Sequence, residues 1–157
     1  MDIKEKQELR MSNVLSFRKR LSAPEFQQAS VRISKFIEDG SFTKTAPTAT
    51  ATFAVEIENG QQMLDIEVLI SLDKPFDPPE ECVCKPEFLL TNAVTIRHLG
   101  NPTGLEDSYN KLMSYIEERG YVTITNGYNV TVTEPKSPAD IDQMIIDIYI
   151  GVSPNIL

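Results

Sequence analysis

Two short strands hold the side chains with the clearest chemical potential. Asp65 and Glu67 are two apart in Leu64-Asp-Ile-Glu-Val68, and Asp147 and Tyr149 are two apart in Ile146-Asp-Ile-Tyr-Ile150. Successive side chains on a strand point to opposite faces. The acids and the tyrosine therefore share the face turned away from the Leu64/Ile66/Val68 and Ile146/Ile148/Ile150 rows. A carboxylate beside an aromatic ring in a partly apolar cleft suits a cationic, lipophilic guest, which gains from charge pairing and from the ring's negative face. If the two strands meet at a common seam, Asp65, Glu67, Asp147 and Tyr149 converge there, with Tyr128 and Tyr121 as further wall candidates. Two other arrangements are open. The acids face water on the open side of an antiparallel sheet, or Glu67 pairs with Arg18 or Arg97 across neighbouring strands.

Other chemistries find little support. His98 is the only histidine, placed where a strand runs into a turn, and no Ser, Cys or Lys stands beside it in a nucleophile motif. Cys82-x-Cys84 lacks the second pair that a four-ligand zinc site needs. Gly100-Asn-Pro-Thr-Gly104 opens a helix but lacks the P-loop lysine and the Rossmann spacing. No catalytic residue, metal ligand or cofactor is assigned.

Recognisable elements must position these residues. Ala93 to His98 reads as a strand, followed by a turn at Leu99-Gly-Asn-Pro102. An amphipathic helix comes next, with a capping box predicted at Thr103 and Glu106 and a stop at Gly120. Leu105, Tyr109, Leu112 and Ile116 form its apolar stripe, leaving Tyr115 off it. Earlier, Val14 to Leu21 is a strand, and Ser22-Ala-Pro-Glu25 starts a helix with the stripe Phe26, Ala29, Ile33, Phe36 and Ile37, closed by Gly40. Thr48 to Glu58 is a strand with Ala51, Phe53, Val55 and Ile57 on one face. Asn59-Gly60 is a hairpin turn, and Met63 to Leu72 returns. Asp73 to Pro86, with four prolines, reads as an extended linker. Val122 to Glu134 is a strand, or a turn and a strand. Pro135 to Asp140 is a polar loop, and Gln143 to Ser153 is the last strand.

The order strand, helix, strand, strand occurs twice. Ser22 to Gly40 matches Thr103 to Gly120 at offsets of 81 and 80, Leu64–Val68 matches Ile146–Ile150 at 82, and Ser16–Lys19 matches Thr95–His98 at 79. A duplication is the natural reading. The modules run over about residues 12–72 and 88–157, with the proline-rich linker at about 73–87. The fold class is α+β: duplicated β-α-β-β modules with pseudo-twofold symmetry, and two helices on one side of a mainly antiparallel sheet.

His98-x-Gly100, the helix pattern Leu105, Tyr109, Leu112, Ile116 and Gly120, and the terminal Asp147-Ile-Tyr-Ile-Gly-Val152 together resemble the gyrase-inhibitor-like (GyrI-like) family of bacterial effector-binding domains. The resemblance covers about Asn92 to Val152 and extends more weakly over Val14 to Leu72. It implies two modules about a pseudo-twofold axis with a ligand groove between them. Family members commonly carry an aromatic after the His-x-Gly turn, where this chain has Asn101, Pro102 and Thr103. Hydrolytic members use tryptophan and tyrosine around a glutamate, and this chain contains no tryptophan. Other members are fused to helix-turn-helix regulators; about 13 residues precede the first strand expected here, which implies a stand-alone version.

Composition sets the outer bounds. Hydrophobic residues at 41% and charged residues at 24% of 157 are those of an ordinary globular chain. A net charge of −8 argues against binding a nucleic-acid backbone. The charged Met1–Arg10 is no signal peptide, and no run approaches the roughly 18 apolar residues of a membrane span. A cytoplasmic monomer or homodimer follows. The expected function is a non-catalytic small-molecule-binding module with Glu67, Asp147, Tyr149, Asp65 and Tyr128 at its site. The alternative is an accessory or inhibitory module that binds a protein partner, and a small hydrolase comes third.

Overall fold

The computed structural model describes residues 3–133 and 136–153. In chain order the elements are β1 (Ile3–Ser22), α1 (Ala23–Asp39), β2 (Ala49–Glu58), β3 (Gln61–Ser71), β4 (Cys82–Leu99), α2 (Leu105–Glu118), β5 (Val122–Thr123), β6 (Tyr128–Thr133) and β7 (Ile145–Ser153). This is the expected α+β class, and the strand pairings within each of the two compact units are antiparallel. One unit is Met11–Phe88; the other joins Met1–Arg10 to Leu89–Leu157.

In the Met11–Phe88 unit, β3 lies between β1 and β2, with Phe17 opposite Val68 and Thr50 opposite the same valine. The aliphatic row of β3 faces α1 as its alternation requires. Ile66, Val68, Ile70 and Leu72 pack with Leu15, Phe17, Ala29 and Ile33, and Phe26, Phe36 and Ile37 of the helix stripe close over them. The α1 start is as read: the Ser22 hydroxyl accepts from the Glu25 amide and the Glu25 carboxylate accepts from the Ser22 amide. Asn59 and Gly60 both take left-handed backbone, φ 53° and 78°, which a two-residue hairpin turn demands.

Alternation on β2 fails where a bulge falls between Thr52 and Ala54. The extra residue reverses the faces downstream, so Val55 and Ile57 do not share the face of buried Ala51 and, standing opposite Leu64 and Gln62, are 55% and 79% exposed. The linker is also shorter than its prolines suggested. Strand β4 begins at Cys82 and carries Pro86 within it, so only residues 72–81 connect the elements.

In the other unit, β7 is central, paired with β4 on one side and with β6 and β5 on the other. Ile148, Ile150 and Val152 pack with Val94, Ile96, Leu112 and Ile116, and Ile3, Leu105, Met113, Tyr115 and Tyr121 rest against them. Two helix details depart from expectation. The Thr103–Glu106 box does not form: a 3-10 turn spans Pro102–Gly104, capped by Asn101, whose side chain accepts from the Thr103 amide. Leu105 then starts α2 with Gly104 at its N-cap and no side-chain cap. The tyrosines also exchange places, Tyr109 being 37% exposed while Tyr115 packs on the core. Gly120 takes the left-handed backbone (φ 73°) that ends the helix.

The largest correction is at the N-terminus. The charged segment expected to precede the first strand is itself strand from Ile3 on: residues 3–10 alternate between half-buried and exposed, with Ile3 on the core of the Leu89–Leu157 unit. Residue 134 of the predicted third strand and residue 135 of the predicted loop lie outside the described residues. The loop beyond them forms a 3-10 turn over Pro138–Gln143.

Candidate functional site

On the face of β7 turned away from α2, cross-strand register builds two rows. Thr95, Tyr149 and Tyr128 stand side by side in one, and Arg97, Asp147 and Val130 in the next. A cavity of about 170 Å³ opens on this face, lined by Thr95, Arg97, Asp147 and Tyr149 together with Lys4 and Gln7 of β1. Lys4 and Gln7 are three apart and would fall on opposite faces of a regular strand. Lys6 between them has φ 56°, and this left-handed kink allows both side chains to reach one cavity.

Asp147 is held by Arg97, whose Nε and Nη2 donate to the two carboxylate oxygens at 2.8 and 2.9 Å. This forked, charge-assisted geometry is the strongest form of carboxylate pairing. Tyr149, half-buried beside it, has its phenol pushed above the ordinary value, first by burial and then by the Asp147 charge, with Arg97 opposing. Tyr128 is buried directly opposite Tyr149.

The acids of β3 have their own partners. Arg18 donates through Nε and Nη2 to Asp65 at 3.3 Å each, and its guanidinium lies 3.7 Å from the centre of the Phe53 ring. Phe53 is the bulged residue of β2, and the bulge re-aims its ring. Glu67 is buried, with Lys85 Nζ 3.6 Å from its carboxylate. Arg18 stands opposite Glu67 in register, and its guanidinium forks onto the diagonal neighbour Asp65. Thus Asp147, Tyr149 and Tyr128 are brought together, and Asp65 and Glu67 share a face of β3. Tyr121 belongs elsewhere, on the core under α2 with its hydroxyl donating to Glu5.

Sequence reading missed Lys4, Gln7 and Thr95. Thr95 was accessible by register, because it stands beside Arg97 on the same strand face. Lys4 and Gln7 were hidden in a charged segment placed ahead of the first expected strand, Val14–Leu21.

His98 is structural. It is buried, and its Nε2 donates to the Asn101 carbonyl at 2.8 Å, which leaves Nδ1 to accept from the Ser108 hydroxyl, also at 2.8 Å. The imidazole thereby ties the end of β4 to α2. Cys82 and Cys84 are free thiols; burial pushes the Cys82 thiol up, and Glu81 adds to the shift. Among the described residues no group of His, Cys, Asp or Glu is placed to hold a metal ion, and no helix is long and apolar enough to cross a membrane.

No family model matches this chain, and no curated protein is significantly similar in sequence. The similarity to solved structures is one of fold. The C-terminal domain of EcmrR superposes with a TM-score of 0.74 at 18% identity, over 98% of this chain and 97% of that domain. In the complex of EcmrR with DNA, the same match spans only 57% of the EcmrR chain. A hydrolase from Listeria innocua gives a TM-score of 0.61 at 11% identity, over 97% of this chain and 91% of that one. SAV2435 bound to tetraphenylphosphonium gives 0.53 at 11%, over 98% and 94%. The chain thus has an α+β fold shared by the C-terminal domain of a DNA-bound protein, a hydrolase and a protein that holds a lipophilic cation.

Proposed function

We propose that this chain is a non-catalytic, GyrI-like ligand-binding module whose ligand is a small lipophilic cation received at Asp147 and Tyr149. The observation that carries the reading is the cavity that Asp147 and Tyr149 line on the face of β7 away from α2. A carboxylate and a ring side by side offer a cation both charge and a π-face. The tetraphenylphosphonium held by SAV2435 supports the ligand class. A binding role without catalysis is supported by His98, both of whose ring nitrogens are engaged in fixing a turn. We read the repeated strand-helix-strand-strand order, with the last strand central in each unit, as two copies of one ancestral module. Asp65 and Glu67 are then the acids of the first copy.

Thermal shift against a panel of hydrophobic cations, tetraphenylphosphonium included, tests the proposal. A ligand at 100 times its Kd stabilises the state it binds by about 2.7 kcal/mol, a rise of several degrees for a domain of this size. Loss of that rise in Asp147→Asn places the ligand at the cavity. No response from any compound, together with recovery of one specific protein in a pull-down, would replace this reading by that of a protein-binding accessory module.

A further inference from the structure

We infer that Arg97 is the resident guest of the candidate site: its guanidinium occupies the carboxylate that a cationic ligand needs, and so selects which cations bind. The inference rests on the proposed reading of the Asp147–Tyr149 cavity as a ligand site.

The geometry is that of a bound planar cation. Two parallel N–H···O bonds at 2.8 and 2.9 Å satisfy one face of Asp147, whose side chain is 16% exposed, while the arginine is 44% exposed. An incoming cation that cannot donate hydrogen bonds must give up this fork to reach the acid, and an intramolecular partner competes at high effective concentration. A planar amidinium or guanidinium on an aromatic body can reproduce the fork and add ring contact with Tyr149. The partly exposed arginine can then turn to water.

A second, independent constellation repeats the arrangement. Arg18 lies between the Asp65 carboxylate and the Phe53 ring, with 3.3 Å to the acid oxygens and 3.7 Å to the ring centre. Acid plus aromatic face is what recognises a ligand cation, and here the chain supplies that cation itself. The two arginines are 79 residues apart and the two aspartates 82 apart, offsets within the drift between the two copies. Arg97 faces its acid directly, whereas Arg18 reaches one pleat along. The better-formed pair is the one beside the cavity.

Removing the resident should unmask the site. The test uses the full chain and benzamidinium, a planar cation with a donor fork, followed by calorimetry and thermal shift. Arg97→Ala is expected to bind benzamidinium at least about tenfold more tightly than wild type, the gap one competing charge-assisted contact sustains. Benzamidinium should also restore the melting temperature that the substitution lowers. Arg97→Ala/Asp147→Asn should lose both effects. Should Arg97→Ala fail to fold, Arg97→Gln keeps the stem and serves instead. Equal binding by wild type and variant, no binding by either, or a gain that survives in the double variant would each overturn the inference. If wild type binds tetraphenylphosphonium through Asp147 while Arg97→Ala changes nothing, the ligand site stands and only the selecting role of Arg97 falls.

Discussion

Glu5 shows how much a single side chain in this molecule can hold. Its carboxylate accepts hydrogen bonds from the Tyr115 hydroxyl at 2.5 Å and from the Tyr121 hydroxyl, with Arg119 at 3.5 Å. The Tyr115 bond, then the Tyr121 bond, hold the Glu5 pKa below its usual 4.5, and Arg119 adds to this. Both phenols are pushed up in return, chiefly by the same bonds. A depressed carboxyl contributes stability that is complete above the unfolded pKa and is lost as pH falls through the folded one. The melting temperature should therefore decline as pH drops below about 4.5, and Glu5→Gln should flatten that decline. In the same variant, the ultraviolet titration of tyrosine should show two phenols moving down towards the ordinary value near 10. If neither curve moves, the carboxylate is not the anchor of this cluster. Nothing in the spelling Lys4-Glu5-Lys6 announces such a role, since its partners lie 110 and 116 residues away. The Asp147 and Tyr149 face was legible from period-2 alternation alone. The arginine that fills it was not, because register between strands is set by turns and bulges that local pattern does not encode.

At the scale of elements, the two helix starts invite a direct comparison. Ser22 completes a reciprocal box with Glu25 and is itself buried, whereas Thr103 sits in a 3-10 turn and caps nothing. Ser22→Ala should cost about 1 kcal/mol in denaturant unfolding, while Thr103→Ala should stay within about 0.5 kcal/mol. Equal losses would mean that the second box forms in solution. The two sequences look alike because both place Ser or Thr three residues before Glu. They differ because Asn101 and Pro102 already turn the chain, so α2 begins one residue late, with Gly104 at its N-cap. The β2 strand fails in a comparable way. Its apolar alternation through Phe53, Val55 and Ile57 is regular in the sequence, and a single bulge reverses it. The α1 stripe and the aliphatic rows of the central strands β3 and β7 were legible because their regular periods leave one arrangement that buries them. The far half of β2 and the start of α2 were not, because several local geometries satisfy them equally.

At the scale of the molecule, the units are not consecutive halves of the sequence. Strand β1 gives residues 3–10 to one unit and 11–22 to the other, and β4 divides at Phe88 and Leu89. A module drawn as residues 88–157 therefore lacks Ile3, which covers its core, and Glu5, which binds its two tyrosines. Expressed alone, residues 88–157 should show no cooperative unfolding by circular dichroism. Joining residues 1–10 to that fragment through a flexible linker should restore a transition. A fragment 88–157 that melts cooperatively without the strand would show that the arm is dispensable.

The divided first strand also bears on the order of events during synthesis. Residues 3–10 leave the ribosome before the tyrosines that Glu5 binds, which follow 110 and 116 residues later. At roughly 5–20 residues per second the arm stays unpaired for some 5–20 seconds. Its alternation of Lys4, Lys6, Glu8 and Arg10 with Glu5 and Gln7 suits that interval, since charge on an open strand discourages pairing with a stranger. The polar spelling of the segment thus discourages a nascent chain from pairing with strangers until the tyrosines that Glu5 binds have been made.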